Sequence, residues 1–196
     1  MTVAVLFARA DSIYKTMPEC DVYDIERDAR TWPGGCPVVA HPPCRAWGEL
    51  RQHAKPREDE MDLGLRAVDA VRRWGGVLEH PKRSHLWLYR LMPGPLQGFD
   101  EFGGWTLPIS QFWFGHRCEK QTWLYIVGCS AIDVPRMPMA LGDAPRKISH
   151  RTGLRKGMPG YRPRIGEAER EHTPPALARW LVDLAARCAV KAEAAA

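Results

Sequence analysis

Two consecutive prolines, Pro42 and Pro43, stop the apolar run Val38-Val39-Ala40 and leave Cys44 just beyond it. A proline fixes φ at about −65° and offers no backbone donor, so neither a strand nor a helix continues through the pair. The stretch VVAHPPCRAWG (38–48) therefore reads as a buried strand that ends abruptly, with a thiol carried on a stiff turn. Two readings stand side by side here. The prolines close a strand and do nothing more, or they fix the position of a nucleophile.

The rest of the chain repeats the pattern of short apolar run and polar stop. TVAVLFA (2–8), CDVYDI (20–25), PVVAH (37–41) and GVLEH (76–80) read as strands, the last ended by Pro81. SIYKTM (12–17) reads as a short helical turn. REDEMDLGLRAVDAVRRW (57–74) sets Met61, Leu65, Val68 and Val71 at helical spacing and stops at Gly75-Gly76. ISQFWFG (109–115) and QTWLYIVG (121–128) read as two strands across a polar turn. TPPALARWLVDLAARCAV (173–190) reads as a closing helix, with Thr173 as N-cap and Leu177, Leu181 and Leu184 on one face. Strand–helix alternation followed by a hairpin predicts an α/β, Rossmann-like fold. Its sheet is mostly parallel, covered on both sides, with an antiparallel edge hairpin and the first strand central. No repeat or linker divides the chain, so one domain over 1–190 is expected, with a basic loop at about 134–166 and a disordered Ala-rich tail at 191–196.

The 196 residues are 45% hydrophobic and 26% charged, which suits a packed core and excludes a disordered chain. No apolar run approaches the roughly 20 residues of a membrane span. The first residues carry no basic leader, so a cytoplasmic protein is expected. Cysteines at 20, 36, 44, 118, 129 and 188 form no CxxC and suit reduced thiols. The net charge is +5 and the pI about 9.0, a mild pointer to an anionic partner. Much of that charge lies in PRKISHRTGLRKGMPGYRPR (145–164), where Arg146, Lys147, Arg151, Arg155, Lys156, Arg162 and Arg164 occur with no acid. Glycines and prolines make the segment a loop: solvated surface, or a phosphate-tracking loop with His150 or Tyr161 to stack on a base.

In a sheet of this kind ligands gather at the carboxyl ends of the strands. Those ends carry Arg9, Asp11, Asp24, Glu26, His41 to Cys44, and Glu79-His80. A Cys44 thiolate, favoured by Arg45 or by a following helix N-terminus, is a carbon nucleophile. Glu79 on an adjacent strand end is placed to hydrogen-bond or protonate a ring nitrogen. Together the two suit attack at C6 of a pyrimidine, which makes C5 nucleophilic. Asp24 and Glu26 read equally as ribose ligands or surface acids. The tryptophans read as packing residues, Trp47 excepted, since it could wall a base pocket. A zinc on Cys36, His41, Cys44, His80, His85, His116 or Cys118 is the rival. Their spacing matches no familiar ligand knuckle, and no metal is assigned.

PPC at 42–44, LEHP at 78–81 and Q…FGHR…K.TWLYIVG from 111 to 128 occur in an order that resembles the DNA cytosine-5 methyltransferases, in their small phage and prophage forms. The closing REHTPPALARWLVDLA is similar to that family's last motif, beside the cofactor. The resemblance implies a shortened class I methyltransferase fold with Cys44 as nucleophile, Glu79 as acid and Arg117 as a base or phosphate contact. His80 stands where the family usually has Asn. S-adenosyl-L-methionine is the implied cofactor, held by Phe7, Arg9, Asp11, Ser12, Asp24, Asp28, Pro42, Thr173 and Pro174. DNA is the implied partner, contacted by Arg45, Trp47, Arg146, Lys147, Arg151, Arg155 and Lys156, with a further protein supplying sequence recognition. The chain departs from the family in three ways. FARADSIY after the first strand has no glycine, one strand–helix unit before Cys44 is shortened or missing, and the basic loop is too small for a separate recognition domain. The alternatives are a catalytically inactive nucleic-acid-binding protein of the same fold, or a Cys/Glu enzyme acting on a pyrimidine nucleotide with another donor.

Overall fold

A computed structural model describes residues 1–49, 51–148 and 154–188. Six strands form one sheet: β1 (Val3–Leu6), β2 (Cys20–Tyr23), β3 (Val38–Ala40), β4 (Gly76–Pro81), β5 (Trp105–Ser110) and β6 (Gln121–Val127). Their order is β2-β1-β3-β4-β6-β5. β1 pairs in parallel with β2 and β3, and β3 with β4, while β6 runs antiparallel to both β4 and β5. The chain is thus α/β with a mostly parallel sheet and an antiparallel edge, compatible with a Rossmann-like arrangement. β1 is interior but not central, because only β2 lies beyond it on that side.

Strict alternation sorts the apolar runs between two faces. Val3, Val5, Val39, Val77, Leu124 and Ile126 share one core with α4 (Pro175–Arg187), whose Leu177, Leu181 and Leu184 are fully buried. Ala4, Leu6, Val38, Ala40, Leu78 and Tyr125 face the other way onto α1 (Glu60–Trp74). Both faces are covered, as continuous apolar strands require.

The expected stripe of α1 is shifted. Leu63, Gly64, Ala67, Val68 and Val71 are buried, whereas Met61 is 49% exposed and Leu65 only half-buried. On a helix of 3.6 residues per turn, 63, 67 and 71 form the contact ridge and 61 and 65 fall beyond its margin. Gly64 sits on that ridge because a Cβ there would lie 2.4 Å from the Trp47 indole nitrogen.

Three boundaries also move. β5 begins at Trp105 rather than 109, and Gln111–Phe114 form a 3-10 turn ended by Gly115 at φ 91°. Turning there carries Gln111 inward, where it is fully buried. The N-cap of α4 is Pro174 rather than Thr173, and no side chain caps it. Short helices α2 (His85–Tyr89) and α3 (Glu167–Glu171) and further 3-10 turns, among them the expected one at Ile13–Thr16, complete the elements among the described residues. The cysteines are not all free: Cys129 and Cys188, 59 residues apart, are paired as a disulfide with Cα atoms 4.6 Å apart. The end of β6 and the end of α4 bring them together. Among the described residues no helix is long and apolar enough to cross a membrane. The Ala-rich tail, His150 and Arg151 lie outside the described residues.

Candidate active site

The strand order changes direction between β1 and β3, since β2 flanks one and β4 the other. Loops leaving their carboxyl ends diverge and leave a crevice, the usual ligand position in such sheets. A cleft of about 1340 Å³ opens there. The register sets Ala40 beside Leu78, so the His41–Cys44 loop and Glu79 leave neighbouring strand ends. Cys44, Glu79, Pro42 and Arg117 all line the cleft. Phe7, Arg9, Asp11 and Ser12 line it from β1, and Thr173 and Pro174 from the lead-in to α4.

Glu79 is the best-held group in it. Its residue is 8% exposed. Gln111 Nε2 donates to Oε1 at 2.9 Å and also to the Thr122 hydroxyl at 3.0 Å. Oε2 lies 3.1 Å from His41 Nδ1, and His41 Nε2 lies 2.9 Å from the Tyr14 hydroxyl. Burial pushes the Glu79 pKa up, but Lys120 and the His41 contact outweigh it and bring it to about 2. Glu79 is therefore a carboxylate in the free protein. Sequence reasoning missed Tyr14, His41 as its partner, and Lys120 as a site residue; Gln111 stood out only as the first residue of the 111–128 motif that resembles a target-pocket support, and His41 only by its position at a strand end.

Cys44 is exposed at the cleft. Desolvation by the surrounding loop, then the Glu79 charge, raises its pKa above 9.0, against a weaker opposing pull from Lys120. The expected activators do not act on it. Arg45 is ion-paired with the fully buried Glu60 at the start of α1. No helix begins at Cys44, whose carbonyl accepts from the Trp47 and Gly48 amides in a turn. The resting side chain is a neutral thiol.

His80 follows Glu79 on β4 and points to the opposite face, 1% exposed. Its ring nitrogens make no hydrogen bond of normal geometry, and the Pro43 carbonyl is the backbone group acting on it. Desolvation lowers its pKa to about 4, so the ring is neutral beneath the Pro-Pro turn. Trp47 does not wall the cleft. It is 3% exposed in the core of the α1 face, edge-on to Tyr89 at 5.4 Å.

A smaller cavity of about 740 Å³ adjoins the cleft through Phe7, Arg9, Asp11 and Pro43, and adds Asp24 and Asp28 to its wall. Phe7 has φ 62°, the left-handed region a glycine would take without strain. The tight turn after β1 is thus made without glycine. Asp24 accepts from the Glu26 and Arg27 amides and pairs with Lys15, which holds its pKa at about 2. With its side chain 4% exposed, it shapes its own loop rather than offering itself to a ligand. Asp28 caps a 3-10 turn and keeps 36% of its side chain exposed.

The strap α3 crosses the cleft and occupies two expected ligand contacts. Glu169 makes a two-pronged pair with Arg117 at 2.5 Å, and Glu171 meets Arg9 at 2.7 Å. In the basic loop, Arg162 pairs with Glu119, Arg164 donates to the Ile148 carbonyl, and Arg146 and Lys147 are tied by isolated bridges to Cys118 and Arg164. Arg155 and Lys156 are exposed, and Arg151 lies outside the described residues. Among the described residues no group of three or more His, Cys, Asp or Glu stands close enough to hold a metal ion. The zinc alternative therefore has no ligand set there. In comparison with known proteins, no family model, no curated protein and no solved structure matches the chain.

Proposed function

We propose that the protein modifies C5 of a pyrimidine, most simply as an S-adenosylmethionine-dependent methyltransferase acting on cytosine in DNA, with Cys44 as nucleophile. The observation that carries this reading is the adjacency of the Cys44 loop and Glu79 at the ends of parallel neighbours β3 and β4, in one cleft. The reaction needs a thiol at C6 and a proton-handling carboxyl at N3, across the same ring, and the two strand ends bring both groups to one cleft.

The ionisation states refine the roles given by the residues alone. Cys44 starts as a thiol and Glu79 as a carboxylate. As the sulfur bonds to C6, its proton passes to Glu79 and on to N3 of the base, so the adduct forms without net change in charge. Gln111 and His41 hold the carboxylate still while this happens. A base taken from duplex DNA must leave the stack to reach the cleft.

The smaller cavity fits the adenosyl class of ligand. Phe7, Ile25 and Leu63 offer apolar surface, and Asp28, partly exposed though paired with Arg30, a carboxylate at the wall for hydroxyl groups. When bound, S-adenosylmethionine would supply the methyl group for C5. The alternative, a nucleic-acid-binding protein without the cofactor, is favoured by Phe7 in place of glycine and by the occupied Asp24. Calorimetric titration with S-adenosylmethionine separates the two.

DNA containing 5-fluorocytosine tests the main reading, because fluorine at C5 blocks release of the sulfur. A covalent adduct on Cys44, seen by mass spectrometry and lost in Cys44→Ser, is expected. The absence of any adduct under saturating cofactor would sink it.

A further inference from the structure

We infer that Lys82, Arg83 and Lys120 form a phosphate-binding subsite on the β4–β6 wall of the cleft, which holds a phosphate of the reacting nucleotide while its base reaches Cys44. The inference rests on the reading of the cleft as a nucleotide site.

The three residues converge through the antiparallel pairing of β4 and β6. Pro81 stands opposite Thr122, and the Lys82 amide donates to the Gln121 carbonyl at 3.1 Å. Lys82 and Arg83 therefore leave the end of β4 where Lys120 leads into β6. All three line the same cleft as Cys44 and Glu79. Lys82 and Arg83 are exposed and Lys120 is half-buried.

The two walls of the cleft differ in charge. Arg9 and Arg117, facing the strap, are neutralised by Glu171 and Glu169, and Arg45 is committed to Glu60. Among the described residues neither Lys82, Arg83 nor Lys120 closes an ion pair. Lys120 nonetheless reaches into the site, since its charge acts on Glu79, Cys44 and His116. Arg83 adds a backbone observation: its φ of 60° is left-handed, a conformation that costs a non-glycine residue energy and recurs at ligand sites. The sharp turn sends two consecutive cations out at the mouth, with a third deeper in. A phosphate monoester or diester carries the charge and the acceptor oxygens to engage all three.

The probes are inorganic pyrophosphate, deoxycytidine and deoxycytidine 5′-monophosphate, titrated calorimetrically into the full chain. Wild-type protein is expected to bind the monophosphate at least about tenfold more tightly than the nucleoside, the size of a single good charge-assisted contact. Lys82→Gln/Arg83→Gln should remove most of that preference, and adding Lys120→Gln should abolish it, with unchanged melting temperature confirming the fold. Lys55→Gln/Arg179→Gln, exposed cations outside the lining of the cleft, should leave it intact. Equal binding of nucleoside and monophosphate by wild type overturns the subsite, as does a preference that survives the triple variant. Pyrophosphate binding lost only in the triple variant, with neither pyrimidine bound, upholds the subsite and removes the pyrimidine reading. Deoxycytidine binding to which phosphate adds nothing does the reverse.

Discussion

His41 Nδ1 lies 3.1 Å from Glu79 Oε2, across 38 residues of chain, with the Tyr14 hydroxyl on the other side of the ring. The contact fixes which oxygen of Glu79 faces the β1 side, and leaves Gln111 to hold the other.

The first expected outcome concerns acid stability. Glu79 titrates at about 2 when folded, below its ordinary 4.5. A depressed carboxylate contributes stability that is complete above the unfolded value and is lost as pH falls through the folded one. Between about pH 4.5 and 2 the wild-type melting temperature should therefore drop more steeply than that of Glu79→Gln. Parallel curves in circular dichroism melts would count against this ionisation state.

Cys44 offers a readout that needs no substrate. Burial and the Glu79 charge raise its pKa, while Lys120 lowers it. At a fixed pH near 8, Glu79→Gln should speed alkylation of Cys44 by iodoacetamide and Lys120→Met should slow it, because only the thiolate reacts. Peptide mass spectrometry distinguishes Cys44 from Cys20 and Cys36. Opposite signs would show that these charges do not govern the thiol.

Removing the far end of the relay is a smaller change. Tyr14→Phe keeps the buried ring and deletes the partner of His41 Nε2, so urea unfolding should show a loss of about 1 kcal/mol. A variant as stable as wild type would mean that the hydroxyl contact is not formed.

The strap gives a prediction about salt. Glu169→Gln/Glu171→Gln releases Arg117 from its exposed pair and removes one of the two acids on Arg9, which keeps Asp11. On the proposed function, nucleic-acid affinity should rise and its dependence on salt concentration should steepen, as more cations meet phosphates. Filter binding at several ionic strengths measures both, and an unchanged slope would leave the strap outside the ligand path.

In α1, Gly64→Ala should destabilise the fold although alanine is the better helix former. The added Cβ would come within 2.4 Å of the Trp47 nitrogen. Overpacking of this kind costs about 1–3 kcal/mol, more than the propensity gain of about 1 kcal/mol. A raised melting temperature would show that Trp47 yields.

The strand ends were legible in the sequence because prolines, glycines and charges punctuate short apolar runs. That sufficed to set Cys44 and Glu79 on neighbouring strands. What surrounds Glu79 was not legible. Tyr14 reads as one apolar residue of a helical turn, Gln111 as a strand residue, and Lys120 as part of a polar turn. Gln111 gains its role from a contact with Glu79, 32 residues away, and Tyr14 from one with His41, 27 away. No local pattern records such pairings. The Cys129–Cys188 pairing was hidden for the same reason: it depends on where β6 and α4 end in space. The stripe of α1 is half legible: Val68 and Val71 are buried, while Met61 and Leu65 are apolar without being buried.

The outermost strand on the antiparallel side, β5, carries Pro108 at the rung opposite Trp123, and the residue is exposed. A proline lends no amide hydrogen to a neighbour, so a second chain laid against β5 would meet a gap in its ladder. On this side the sheet is terminated by covalent chemistry: crowding two copies together at β5 cannot extend it as an unbroken ribbon.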